Sequence, residues 1–115
     1  MASRSVTLIL KNASSSHIYF QGGSLSGGEW DVLPPPSIPA GSLLAWTSQS
    51  DGFLTGTQGT ASFNTSAGLP AVLTINWDNP YVGSNSYSAN AASPFNVSWQ
   101  GGGGDNAIVV FTFGG

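Results

Sequence analysis

Apolar and polar residues alternate along this chain in short runs, and no stretch repeats with the helical period of about 3.6 residues. Residues 6–10, 17–20, 29–33, 42–48, 59–63, 71–77, 95–100 and 107–113 each read as a strand, separated by Gly, Pro, Asn and Ser. Phe95, Val97 and Trp99 share a face opposite Asn96, Ser98 and Gln100, and Ala61 and Phe63 oppose Thr60 and Ser62. The pattern predicts an all-β fold, a single-domain antiparallel β-sandwich over residues 1–115 with about eight short strands. Residues 6–10 and 108–113 are apolar on both faces. They are expected to pair with each other at the centre of a sheet, the second face lying under the proline-rich segment 34–39. The alternative is an exposed apolar patch for a partner.

The apolar run 72–75 leads into Trp77, Asp78, Asn79, Pro80, Tyr81, Val82, Gly83, Ser84, Asn85, Ser86 and Tyr87. Asx side chains turn the backbone and Pro80 has no N–H for a ladder, so the sheet is expected to stop at Trp77. The loop that follows would then carry large amphipathic rings where small polar residues are usual, which marks a recognition surface. Its candidates are Trp77, Asp78, Asn79, Tyr81 and Tyr87. The competing reading has Trp77 and Tyr81 plugging one end of the sandwich. Trp99, alternating with Val97 and Phe95, reads as core, as do Trp30 and Trp46 within their strands.

Composition narrows the function. The chain has 115 residues and no cysteine, which removes thiol chemistry and Cys-ligated metals. Only 6% of residues are charged, against ~25% in ordinary domains. Arg4 and Lys11 cannot make a basic stripe, so phosphate-driven nucleic-acid binding is excluded, and so is electrostatic attraction to anionic lipid. So weakly charged a surface has little colloidal repulsion, and homo-oligomers or inclusions are expected. The N-terminal apolar run is too short for a signal peptide. The expected location is therefore the cytoplasm or an inclusion, with release to act at a target-cell membrane. The N-x-Ser/Thr triplets at Asn12, Asn64 and Asn96 read as chance in a Ser/Asn-rich chain.

Nothing in the sequence assembles a catalytic centre. His17 is the one histidine, and neither a G-x-S-x-G elbow nor an H-E-x-x-H pair occurs. Glu29 and Asp31 would share a strand face, as paired acids do, but equally as a solvated face would. Asp51-Gly52 and Asp105-Asn106 read as turns; calcium held by loop carboxylates such as Asp51 and Asp78 is the alternative. The glycines 101–104 read as a hairpin connection, because no helix or lysine follows to cradle a phosphate. The expectation is a non-enzymatic protein with no cofactor and no metal.

Three segments together resemble the aegerolysin family: residues 3–12, its first strand; residues 52–60, its Gly-Thr-x-Gly-Thr element; and residues 77–85, its aromatic-Asp-x-Pro-aromatic loop. Residues 27–30 and 100–102 fit as well, so the resemblance spans about residues 3–113. It is nearest to the small aegerolysin-like components of Bacillus binary insecticidal proteins. Fungal members carry an acidic residue where this chain has Thr55 and an aromatic where it has Ser5, which favours the insecticidal branch. The resemblance implies a β-sandwich without catalytic activity that recognises membrane lipid of the sphingolipid type and works with a larger pore-forming partner. It places Trp77, Asp78, Tyr81 and Trp30 at the lipid.

The physics is compatible. Trp and Tyr rings favour the headgroup depth of a bilayer, each contributing roughly 1–3 kcal/mol there. Without positive charge, such binding should be nearly insensitive to salt. Two rival readings stand beside it. Asp78, Asn79 and Tyr81 near Gly83 also suit a lectin that grips a glycan, and low charge with two-sided apolar strands suits a structural or storage protein.

Overall fold

The computed structural model describes residues 2–66 and 70–115. The strands are β1 (Ser5–Asn12), β2 (Ile18–Gly27), β3 (Glu29–Val32), β4 (Ser37–Ile38), β5 (Leu43–Gln49), β6 (Thr57–Asn64), β7 (Leu73–Asn79), β8 (Ser86–Ala91), β9 (Asn96–Gly101) and β10 (Asn106–Gly114). They form two five-stranded sheets, in the orders β3-β5-β1-β10-β9 and β4-β2-β6-β7-β8. The all-β sandwich is thus as the alternation predicts. The described residues form ten strands rather than about eight. The additional pairings come from segments with little apolar signal: β8 reads Ser-Tyr-Ser-Ala-Asn-Ala, and β4 sits in a proline-rich stretch.

β1 and β10 do lie side by side inside one sheet, and they run parallel, with Ser5 opposite Asn106 and Asn12 opposite Phe113. That pair departs from an all-antiparallel sandwich. First and last strands have no short loop to join them, so nothing forces them to run in opposite directions. Their inward residues Val6, Leu8, Leu10, Val109, Phe111 and Phe113 are fully buried between the sheets.

The expected cover over their outer face is absent. Segment 34–39 instead crosses from β3 in one sheet to β4 in the other, where Ile38 pairs with Ile18. Asn12 fastens it there, its Nδ2 donating to the Ile38 carbonyl at 3.0 Å. The outer face keeps Ile108 58% exposed, with Ile9 and Val110 half-buried. Trp99 also departs from expectation. It points to the inner side of edge strand β9 and rests on Phe111 at 5.6 Å, but with no strand beyond β9 it remains 42% exposed.

Candidate functional site

β1 starts at one end of the sandwich, and the β5–β6, β7–β8 and β9–β10 connections turn there. The β5–β6 loop carries Phe53 and Leu54 at its tip. Thr55 cinches the turn: its Oγ1 donates to the Gly52 carbonyl at 2.7 Å and accepts the Gly52 N–H at 3.1 Å. Leu54 has φ of +59°, a left-handed conformation that branched and bulky residues rarely adopt. The turn turns both side chains out: Phe53 is 90% and Leu54 54% exposed. Val82, on the β7–β8 loop, is 83% exposed. Leu54, Tyr81 and Val82 border one concavity of about 620 Å³, and Phe53, Leu54 and Tyr81 border a second. Four bulky side chains from two loops therefore form a single apolar rim.

The rim stands on a fixed support. The Arg4 guanidinium lies 4.5 Å from the centre of the Tyr81 ring, and its Nη2 donates to the Tyr81 carbonyl at 3.0 Å. Its Nη1 donates to the Ser3 carbonyl and lies 3.6 Å from Asp105 Oδ2. Asn85 Nδ2 donates to the carbonyls of Gly102 at 2.8 Å and Gly104 at 2.9 Å. Arg4 and Asn85 thus tie the β7–β8 loop to the β9–β10 hairpin. Arg4 is one of only two cations in the chain, and it is spent on this fastening.

The structure separates the residues expected to act together. Trp77 is a correction: it is 1% exposed, deep between the sheets. Its ring stands 6.1 Å from Trp46 and 6.0 Å from Trp30, and its Nε1 donates to Ser48 Oγ at 2.8 Å. β7 runs on to Asn79 instead of ending at Trp77, so positions 73, 75, 77 and 79 all point inward. The indole fits because position 59 opposite is glycine; a Cβ there would overlap Trp77 and Leu25.

Asn79 is a second correction. It is buried, and its Nδ2 donates to the carbonyls of Ser5 at 3.0 Å and Asp105 at 2.8 Å, stitching one sheet to the other. Trp30 is half-buried on edge strand β3 against Trp77. Tyr87 belongs to β8, not to a loop. Its ring packs on Gly102 (φ +94°) and edge-on to Phe111, and its hydroxyl donates to the Gly102 carbonyl at 2.7 Å. Burial pushes its pKa above the ordinary value; the Asp78 charge adds to this and the Asn85 contact opposes it.

Of the expected loop set, Tyr81 alone reaches the rim, with half-exposed Asp78 just behind it on the outer face of β7. Phe53, Leu54, Val82 and Arg4 were not anticipated. The signal for the first two was present: a bulky apolar pair set between the turn residues Asp51-Gly52 and Thr55-Gly56. Glu29 accepts from Gln49 at 2.9 Å, and no cluster of three His, Cys, Asp or Glu occurs among the described residues.

Toward the rim, the outer face of β2, β6, β7 and β8 presents hydroxyl and carboxamide side chains, with the exposed ring of Tyr19 at the other end of β2. Ser24 and Thr60, Gln58 and Asp78, and Asn76 and Ser88 stand in cross-strand register, with Asn76 Nδ2 donating to Ser88 Oγ at 3.2 Å.

No family model matches the chain. Across 111 residues, 96% of the chain, it is 31% identical to an uncharacterized protein of Dictyostelium discoideum, of whose length it spans only 10%. Three crystal structures share its fold. The lipid binding protein Nakanori superposes with a TM-score of 0.83 at 13% identity, over 98% of this chain and 72% of that one. RahU, solved with a Tris molecule, gives 0.83 at 19% identity, over 99% and 96%. IP-1A from Alcaligenes faecalis gives 0.77 at 19% identity, over 98% and 91%. Nakanori is aegerolysin-like and RahU is of the aegerolysin family, so the sandwich described here has the aegerolysin-like fold.

Proposed function

We propose that this protein binds membrane lipid without enzymatic activity, entering the headgroup layer with the end of the sandwich that carries Phe53, Leu54, Tyr81 and Val82. One observation carries the reading: three large apolar side chains, exposed by 90%, 83% and 54%, gather on neighbouring loops of one end. Leaving them in water is unfavourable, and a fastened loop keeps them there. Transfer into an interface would contribute roughly 1–3 kcal/mol for each ring or branched chain. Association costs subtract several kcal/mol, which leaves an affinity on the order of micromolar. Nakanori is a lipid binding protein, and the shared fold and the resemblance to aegerolysins support the same reading. The resemblance extends it to a toxin component, of the kind found in binary insecticidal proteins, that meets sphingolipid-type headgroups and leaves permeabilisation to a larger partner.

The test is co-sedimentation with phosphatidylcholine vesicles, with and without sphingomyelin and sterol. The wild type sediments with vesicles, and raising the salt leaves its bound fraction unchanged, because Arg4 at the tip is held by Tyr81 and Asp105 and Lys11 lies at the far end of β1. Phe53→Ser with Val82→Ser lowers vesicle affinity by about 30-fold or more while the circular dichroism stays native. Unchanged binding by that variant would refute the tip as the contact surface.

A further inference from the structure

We infer that the polar outer face of β2, β6, β7 and β8 receives the neutral sugar headgroup of a membrane glycolipid. The inference rests on the tip entering the bilayer, and it assigns a second, chemically different contact to the same bound state.

The face has a concavity of about 540 Å³, a size in the range of small-ligand sites. Ser24, Gln58, Thr60, Asn76, Asp78 and Ser88 line it. An outward sheet face is ordinarily polar, but ordinarily through Lys, Glu and Arg. Here it is built from hydroxyls and carboxamides, with Asp78 the one charge. The side chains of Gln58, Thr60 and Asp78 make no hydrogen bond to any described residue, so their donors and acceptors point to the outside unspent.

This chemistry selects among ligands. A phosphate or sulfate would meet Asp78 and no cation: Arg4 is committed to Tyr81 and Asp105, and Lys11 stands on the other sheet. A cation finds one carboxylate, too few to hold a metal. An acyl chain or apolar peptide finds only two large side chains in the lining, Trp77 and Tyr87, and both are packed into the sandwich, Trp77 being 1% exposed. A neutral sugar presents hydroxyls that donate and accept at close spacing, and needs partners of both kinds. Asp78 accepts from sugar hydroxyls with the added strength of its charge, while Asn76 and Gln58 supply donor and acceptor from one group.

Position selects the source. Gln58 and Asp78 line this concavity and also the one that holds Leu54, Tyr81 and Val82. A ligand on the face therefore continues from the rim. With the rim in the headgroup layer, the face stands above the membrane along the strands, where the glycan of a glycolipid projects. A sugar carried by the same bilayer adds its contacts at little further association cost.

The experiment compares phosphatidylcholine vesicles with vesicles that also contain neutral glycosylceramides bearing short glycans. Soluble lactose and other free neutral saccharides are titrated in parallel, followed by amide NMR. Glycosylceramide is expected to raise the bound fraction, and Asn76→Ala with Ser88→Ala to remove that gain, an effect of about tenfold, leaving phosphatidylcholine binding intact. Free saccharide should shift the amides of Asn76 and Asp78, and should do so equally in Phe53→Ser/Val82→Ser, whose vesicle affinity is reduced. Equal binding to the two vesicle types, with tip-dependent binding retained, overturns the glycan assignment and leaves the membrane reading standing. Saccharide shifts without any vesicle binding would refute the tip and, with it, the glycolipid as the source.

Discussion

Trp77 and Tyr81 stand four residues apart and do opposite things. Trp77 is 1% exposed, hydrogen-bonded through Nε1 to Ser48 and wedged among Trp46, Trp30 and Gly59. Tyr81 lies beyond the end of β7, held at its ring by Arg4 and bordering the apolar rim with Leu54 and Val82. Both are amphipathic rings. The pleat of β7 directs one inward, and Pro80 ends the ladder before the other. The difference shows that ring content alone does not distinguish a recognition loop from a core; the last paired residue of the strand does. The interior ring holds the sandwich together, and the exterior ring is free for the binding proposed above.

Exchanging these roles by mutation tests that division. Trp77→Ala, which empties a cavity between the sheets, should cost about 3–5 kcal/mol and lower the melting temperature by many degrees, or prevent folding. If it folds with near-native stability and loses only lipid binding, the division is wrong. Asn79→Ala should come next. Its Nδ2 satisfies two backbone carbonyls across the sheets, and their loss is expected to destabilise by about 2–3 kcal/mol in denaturant titration without a direct effect on the rim.

A finer contrast lies between two buried indoles. The Trp46 Nε1 is buried without a hydrogen-bond partner among the described residues, whereas that of Trp77 serves Ser48. Trp46→Phe removes an unsatisfied donor and Trp77→Phe a satisfied one, so the second should be the more destabilising by about 1–2 kcal/mol. Equal losses would mean that packing, and not the Ser48 bond, fixes Trp77.

The smallest effect concerns Tyr87. A phenol is charged only when deprotonated, and burial raises the folded pKa above its ordinary value. The folded chain then holds this proton to higher pH than the unfolded chain. Stability from Tyr87 is complete below the ordinary phenol value and declines as pH rises through the folded one. Tyr87→Phe should cost about 1 kcal/mol at neutral pH, by losing the bond to Gly102, and should flatten that alkaline decline in pH-dependent unfolding.

Alternation and turn residues were enough, by themselves, to specify an all-β sandwich and the central pairing of the two-sided apolar terminal strands, and composition to specify its low charge. These follow from local rules: which face a side chain takes in a pleat, where glycine and proline interrupt it, and how much charge exists. Where β7 stops, that β8 is a strand at all, and that segment 34–39 crosses between sheets were decided only in three dimensions. A ladder is set by the partner strand, and β8 gains its place from β7 beside it despite a polar sequence. The same holds for the site. Arg4 and Asp105 lie at opposite ends of the chain, and Phe53 and Val82 on separate loops. Parallel pairing of β1 and β10 brings Arg4 to Asp105, while antiparallel pairing of β5 with β1 and of β7 with β6 turns the Phe53 and Val82 loops at that same end.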